Sequence, residues 1–310
     1  MKSLYSIGEV LIDFIPLQKG KALKDVLSFA GARLGGESSM ISKLGLDAFG
    51  DFLIETLNRA GVQTDKILRT DEANTAIAFV SLRNDGERDF SFYRNPSADL
   101  LMKKEEIDGD WFSSGDILHF CSVDLVESPM KQAHIKAINE AKRNGALISF
   151  DPNVRLPLWE NPEYCRETIL SFIPKAHLLK ISDEELSFIT NIDHEENAIR
   201  SLFVGDVRAV IYTKGATGAE LYLKNDKFTS KGYRVDVQDT TGAGDAFIGG
   251  FLYQLLSKQV TPYNLEDICN TNHHELLQFA NAVGALTTTG KGAISSLPEK
   301  EQVLKLINSY

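Results

Sequence analysis

The segment Asp239-Thr240-Thr241-Gly242-Ala243-Gly244-Asp245-Ala246-Phe247 holds the residue types best suited to chemistry. Phe247, Phe251, Leu252, Leu255 and Leu256 follow it at helical spacing, and the strand-like run Arg234–Val237 precedes it. A glycine-rich turn therefore leads into a helix N-terminus, which offers unpaired backbone N–H groups and the positive end of a dipole to an anion. Gly242 and Gly244 let the backbone approach that anion without a Cβ in the way. Asp245 stands at the helix start. A carboxylate beside an anion site needs a task, and accepting a proton from an attacking hydroxyl is the obvious one. The dipole lowers its pKa and makes it a weak base, which phosphoryl transfer tolerates because its transition state is loose. No Gly-Lys-Ser/Thr follows the glycines, so this is not a Walker loop. The same residues could equally form a plain capping turn, with Asp245 as a first-turn carboxylate.

Such a turn needs a scaffold. Strands are expected at Leu4–Ile12, Ile117–Cys121, Leu147–Phe150, Leu178–Ile181 and Val210–Thr213, with amphipathic stretches between them. Ser128-Pro129 opens one such helix, Ala133, Ala137, Ile138 and Ala141 give its apolar face, and Gly145 ends it. This alternation predicts an α/β fold: a central, mostly parallel sheet flanked by helices on both faces. Residues 75–93 break the pattern, with two β-type runs around Asn84-Asp85-Gly86. Together with residues 14–30 they predict a small β-sheet lid outside the main sheet.

Composition bounds the function. The chain has 310 residues and a net charge of −10, with 43% hydrophobic and 25% charged residues, ordinary globular usage that excludes a fibre or a disordered chain. The acidic balance and the scattered Lys/Arg pairs argue against nucleic acid. No apolar run reaches a membrane span, and the first residues read as a strand rather than a signal peptide. Cys121, Cys165 and Cys269 are widely spaced and odd in number, which reads as free thiols in a reducing cytoplasm. His273-His274-Glu275 is a weak metal candidate, because adjacent histidines on a helix point apart.

DTTGAGDAF resembles the C-terminal signature of the ribokinase-type (pfkB) sugar kinases. Other segments match in order: Gly8-Glu9 with Asp13; Lys43-Leu44-Gly45 with Asp47, Phe49 and Gly50; Phe92–Asp99; Asp151–Arg155 with Leu158-Trp159; Lys180-Ile181-Ser182 with Glu185; and Thr213-Lys214-Gly215 with Gly218. The resemblance covers nearly the whole chain. FYRNPSAD and DPNVRLPLW look most like the fructokinases of that family. It implies a ribokinase-like fold, a single kinase domain over 1–310 with a lid at about 14–30 and 75–99, and ATP-dependent phosphorylation of a sugar hydroxyl.

By the same resemblance Asp245 is the base, and Gly242, Ala243 and Gly244 form the anion hole. Asp13, Arg94, Asn95, Asn153 and Arg155 fall on the substrate side; a solvated strand-end Asp13 and a structural ion-pair role for Arg155 are the plain alternatives. Lys180, Ser182, Glu185, Thr213, Gly215, Gly218 and Asn281 fall on the nucleotide side. Lys214 would touch phosphate or simply be solvated, and Trp159 belongs to the core. Glu185 corresponds to an acid linked to Mg²⁺ through water, although Ser182 stands where many relatives carry Asn; its alternative is a solvated helix-face charge. Asp239, Thr241, Thr287, Gly290, Gly292 and Ser296 match a monovalent-cation site, with K⁺ expected.

One departure stands out. Family members carry a Gly-Gly substrate motif and a half-helix where Ser28-Phe29-Ala30-Gly31 here runs straight into Ala32-Arg33-Leu34-Gly35. About ten residues, or over two helical turns, are missing by that comparison. The expectation is a loop between Ala30 and Ala32 that this sequence omits. Fructose to fructose 6-phosphate is the leading reaction. Ribose, a keto-deoxy sugar acid or a nucleoside is the alternative acceptor, and a non-catalytic sugar sensor is the alternative of another class. A cytoplasmic protein, with a homodimer through the lid by analogy, completes the expectation.

Overall fold

The computed structural model describes residues 2–14, 22–24, 26–82, 88–292, 294 and 296–310. In chain order come β1 (Ser3–Ile7), β2 (Leu11–Phe14), β3 (Ala22–Lys24), α1 (Val26–Arg33), β4 (Glu37–Gly45), α2 (Ala48–Arg59), β5 (Val62–Gln63), β6 (Ile67–Thr70), β7 (Ile77–Leu82) and β8 (Arg88–Tyr93). Then β9 (Ile117–Cys121), α3 (Pro129–Arg143), β10 (Leu147–Asp151), α4 (Pro162–Phe172), β11 (Leu178–Ser182), α5 (Asp183–Thr190), α6 (Glu195–Ser201) and β12 (Ala209–Thr213) alternate. β13 (Gly218–Tyr222), β14 (Lys227–Lys231), α7 (Ala243–Ser257), α8 (Leu265–Thr287) and α9 (Lys300–Asn308) complete the chain.

The main sheet runs β14-β13-β12-β11-β10-β9-β1-β4-β5, with β6 also on β4. It is parallel from β12 to β5 and antiparallel only at β13 and β14. Its central strands are apolar on both sides, as a doubly covered parallel sheet requires. Leu4, Ile117, Leu147, Leu178 and Ile211 pack with α7 and α8 residues on one face. Ile7, Leu118, Ile148, Leu179 and Val210 pack with α3 and α4 residues on the other. α3 opens as expected, with the Lys131 N–H donating to Ser128 Oγ at 3.4 Å and Pro129 in its first turn.

Three expectations are corrected. The predicted strand Leu4–Ile12 is two strands in two sheets, because the chain leaves β1 at Gly8, φ 155°, and re-enters β-structure at Leu11. Arg234–Val237 is not a strand; it has no ladder partner and is held at Arg234 by Tyr310 Oη, which accepts from its N–H and donates to its carbonyl. The lid does not span 14–30. The small sheet is β3-β2-β7-β8, with β2–β7 parallel and the other pairs antiparallel. Val26–Arg33 is instead a helix whose Leu27, Phe29 and Ala30 are buried in the main core. The Asn84-Asp85-Gly86 turn lies outside the described residues.

α1 runs unbroken through Gly31, and the Gly36 N–H caps it by donating to the Gly31 carbonyl at 3.0 Å. Gly35, φ 91°, supplies the left-handed turn that ends the helix. The 310-residue sequence is continuous at Ala30-Gly31-Ala32, so the expected omitted loop is overturned.

Candidate active site

The carboxyl ends of β9, β10 and β11 face the amino end of α7, where Cys121, Asp151 and Lys180 feel the charge of Asp245. Gly242 is its N-cap at φ 75°, a conformation that a side chain would strain. Asp245 lies in the first turn, half-buried, beside an exposed Gly244. A glycine-capped turn therefore leads into α7 with an acid in its first turn, and Ala246 to Leu252 anchor it by burying the helix behind.

Beneath this turn sits Lys180. A Cβ built on Gly244 would lie 3.4 Å from Lys180 Nζ, so the ammonium lies close against the turn on the side where a side chain would stand. Lys180 Nζ is 2.8 Å from Asp151 Oδ2, with both side chains almost wholly buried. Burial opposes the lysine's charge, but Asp151, Glu185 and Asp245 outweigh it and hold its pKa above the ordinary value. Burial pushes the Asp151 carboxyl up to about 7 against the pull of that ammonium. Asp151 had entered the sequence reading only as part of DPNVR. The signal that could have found it is a lysine inside an otherwise apolar strand, which demands a buried acid nearby.

Glu185 is not a solvated helix-face charge. Its Oε2 accepts from the Ser182 N–H at 3.0 Å and the Ser182 hydroxyl at 2.8 Å, while Oε1 accepts from the Val154 N–H at 2.8 Å. Burial works against the carboxylate, yet Lys180 and these donors hold its pKa low. It thus ties β11 to the loop of Asn153, φ 49°. With both oxygens so engaged, contact with a metal through water fits better than direct ligation.

The substrate-side residues divide. Asp13 sits on β2 between Ala22 and Ala78. Asn95 is exposed just after β8. Arg155 donates to the Val154 carbonyl, with no ion pair among the described residues. Arg94 differs: Nη2 donates to Asp99 Oδ2 and to Asp124 Oδ1, with all three side chains at most 4% exposed. The expected substrate ligand is first of all a buried clamp between the end of β8 and the loop after β9. Asp124 was missed, since nothing in its sequence spacing marks it.

On the nucleotide side, Thr213 and the turn Gly215–Gly218 close β12. Lys214 is not simply solvated; it pairs with Glu195 at 2.9 Å and Glu220 at 3.2 Å. Asn281 is buried and donates to Ser230 Oγ at 3.1 Å, linking α8 to β14. Asp239 Oδ1 accepts from the Thr241 N–H and hydroxyl at 3.0 and 2.6 Å. A Cβ on Gly290 would lie 2.3 Å from Ser296 Oγ, so these two residues touch. Thr287 is buried, its hydroxyl donating to the Val283 carbonyl. Trp159 is core. His273 stacks on Phe228 at 3.8 Å and Glu275 pairs with Lys258, and no cluster of His, Cys, Asp or Glu fit for a metal exists among the described residues.

A profile of the pfkB family carbohydrate kinases matches residues 1–300. The chain belongs to that family. It is 41% identical to probable fructokinase-4 of Arabidopsis thaliana, over 98% of this chain and 96% of that protein. The fold matches a fructokinase with bound ATP from Xylella fastidiosa at a TM-score of 0.93 and 36% identity, covering 99% of this chain and 98% of that one. It matches a double-mutant fructokinase from Vibrio cholerae O395, in a fructose-, ADP- and potassium-bound form, at 0.88 and 32%, covering 99% and 98%. In this pfkB kinase the ribokinase-like sheet and the separate small sheet are those of its family.

Proposed function

We propose that this kinase transfers the γ-phosphoryl of ATP to the 6-hydroxyl of D-fructose. The observation that carries the reading is Asp245 in the first turn of α7, with Lys180 Nζ under Gly244. The sugar oxygen bonds to phosphorus, the bond to the ADP oxygen breaks, and Asp245 takes the hydroxyl proton. The amides of Gly242 and Gly244 face the charge that builds on the phosphoryl oxygens, whereas the Ala243 N–H donates to the Thr240 carbonyl at 3.3 Å. Asp13, Asn95, Asn153 and Arg155 orient the sugar, and Lys180, Ser182, Thr213, Gly215, Gly218 and Asn281 the nucleotide. Mg²⁺, reached by Glu185 through water, would neutralise phosphate charge. K⁺ would sit at Asp239, Thr241, Thr287, Gly290, Gly292 and Ser296, a reading supported by the loops these residues bring together.

The chain works as one unit over 1–310 in this reading, with the small sheet as a lid that excludes competing water. Phe79 and Tyr93 give that sheet an exposed aromatic pair with centroids 5.2 Å apart, and a second copy could pair along it. Three free thiols fit a cytoplasmic setting, and no helix among the described residues is long and apolar enough to cross a membrane.

ADP release measured across fructose, ribose, a keto-deoxy sugar acid and a nucleoside decides. Turnover with fructose alone supports this reading. No ADP release with any of the four overturns it.

A further inference from the structure

β11 is buried on both faces, and Leu178, Leu179 and Ile181 are wholly buried. Lys180 interrupts this run on the face that α7 covers, alternating with Leu179 and Ile181 on the other. A buried ion pair is rarely a gain in stability over apolar residues of the same volume. The charge is therefore better explained by what it serves than by the packing it replaces. Phe150 and Leu179 are register partners, which brings Asp151 and Lys180 next to each other one step nearer the carboxyl ends. Asp151 Oδ2 holds the ammonium at 2.8 Å. Asp151 Oδ1 is buried and has no hydrogen-bond partner among the described residues. The other charged or titratable groups that the ammonium feels are Glu185 from α5, Asp245 from α7 and His119 from β9.

We propose that Asp151 is a positioning residue for phosphoryl transfer: it holds the Lys180 ammonium under the amino end of α7, where that ammonium meets the transferred phosphoryl. The proposal rests on the kinase reading above. Asp151 acts only through Lys180 and touches no substrate. Without it, the lysine stem is long enough to swing the charge away from Gly244 and toward Glu185 or water.

The test compares wild type, Asp151→Asn, Lys180→Met and the double variant in fructose turnover, ATP affinity by calorimetry and thermal melting. Lys180→Met is expected to lower kcat about 100-fold with the fructose KM nearly unchanged, as for loss of one charge-stabilising donor. Asp151→Asn is expected to lower kcat about 10-fold, and to change nothing further when Lys180 is already Met. Equal losses from Asp151→Asn in both backgrounds overturn the proposal. If both single variants fail to fold because they strand a buried charge, the double variant carries the test, since it removes both charges. A folded double variant with wild-type turnover overturns the proposal; a folded one with turnover lost upholds it. If wild type phosphorylates no fructose, the substrate reading fails and ATP affinity decides instead. Weakened ATP binding in each single variant, with no further loss in the double, upholds the proposal, and unchanged binding overturns it.

Discussion

Asp239 Oδ2 accepts a hydrogen bond from the Gly292 N–H at 3.2 Å, across 53 residues of chain. The same carboxylate holds Thr241 through its other oxygen. One side chain thus fixes the turn that presents the α7 amides and the loop beyond α8. Replacing it should loosen both sides of the proposed cation site. Asp239→Ala is expected to weaken K⁺ activation about 10- to 100-fold, as loss of a supporting carboxylate does at metal sites. Turnover titrated with KCl at constant ionic strength checks this, and an unchanged K⁺ response would remove Asp239 from the site.

Asp245→Asn keeps the shape of the first turn of α7 and removes the proton acceptor. Turnover should fall by about 10²- to 10⁴-fold, with fructose affinity within a small factor of wild type. Near-normal turnover in this variant would refute the base assignment.

Burial pushes three histidines well below their ordinary value: His119 to about 3, His134 to about 4 and His177 to about 4. His177 Nδ1 accepts from the Ile148 N–H at 2.9 Å, a bond that protonation there would break. Each is neutral when folded and binds a proton near pH 6.5 when unfolded. Their contribution is therefore full above about pH 6.5 and is lost as the pH falls toward the folded values near 4. Three such groups give a slope of up to about 4 kcal/mol per pH unit in that window. Urea midpoints at pH 7.5 and 5.5 should differ clearly, and His134→Gln should flatten the difference. Equal midpoints would contradict the buried neutral state.

Arg94→Met strands Asp99 and Asp124 in the core without their cation. A loss of about 3–5 kcal/mol in unfolding free energy is expected, as for other broken buried pairs. Adding Asp124→Asn should recover part of it. A melting temperature unaffected by Arg94→Met would show that the guanidinium is not the clamp described.

The chemistry-bearing turn was legible in the sequence because it depends on short-range rules. Glycines before an apolar helical repeat specify a helix start, and an acid in the first turn can only project from that start. The central strands Ile117–Cys121 and Leu178–Ile181 were legible because strands covered on both faces are mostly apolar, with His119 and Lys180 the polar interruptions. The split of Leu4–Ile12 was not legible. Both halves are equally apolar, and only the sheets they join tell them apart.

Pairings between distant residues lay wholly with the tertiary structure. Asp151 and Lys180 are 29 positions apart, and Arg94 and Asp124 are 30 apart. Nothing in either spacing says that a parallel register or the junction with the small sheet will bring them within bonding distance. The sequence by itself determined the family, the glycine turn and the acid that follows it. The fold decided which charges are buried together, because burial is set by neighbours from other strands, and a charge out of water is tolerable only where such a neighbour supplies its partner.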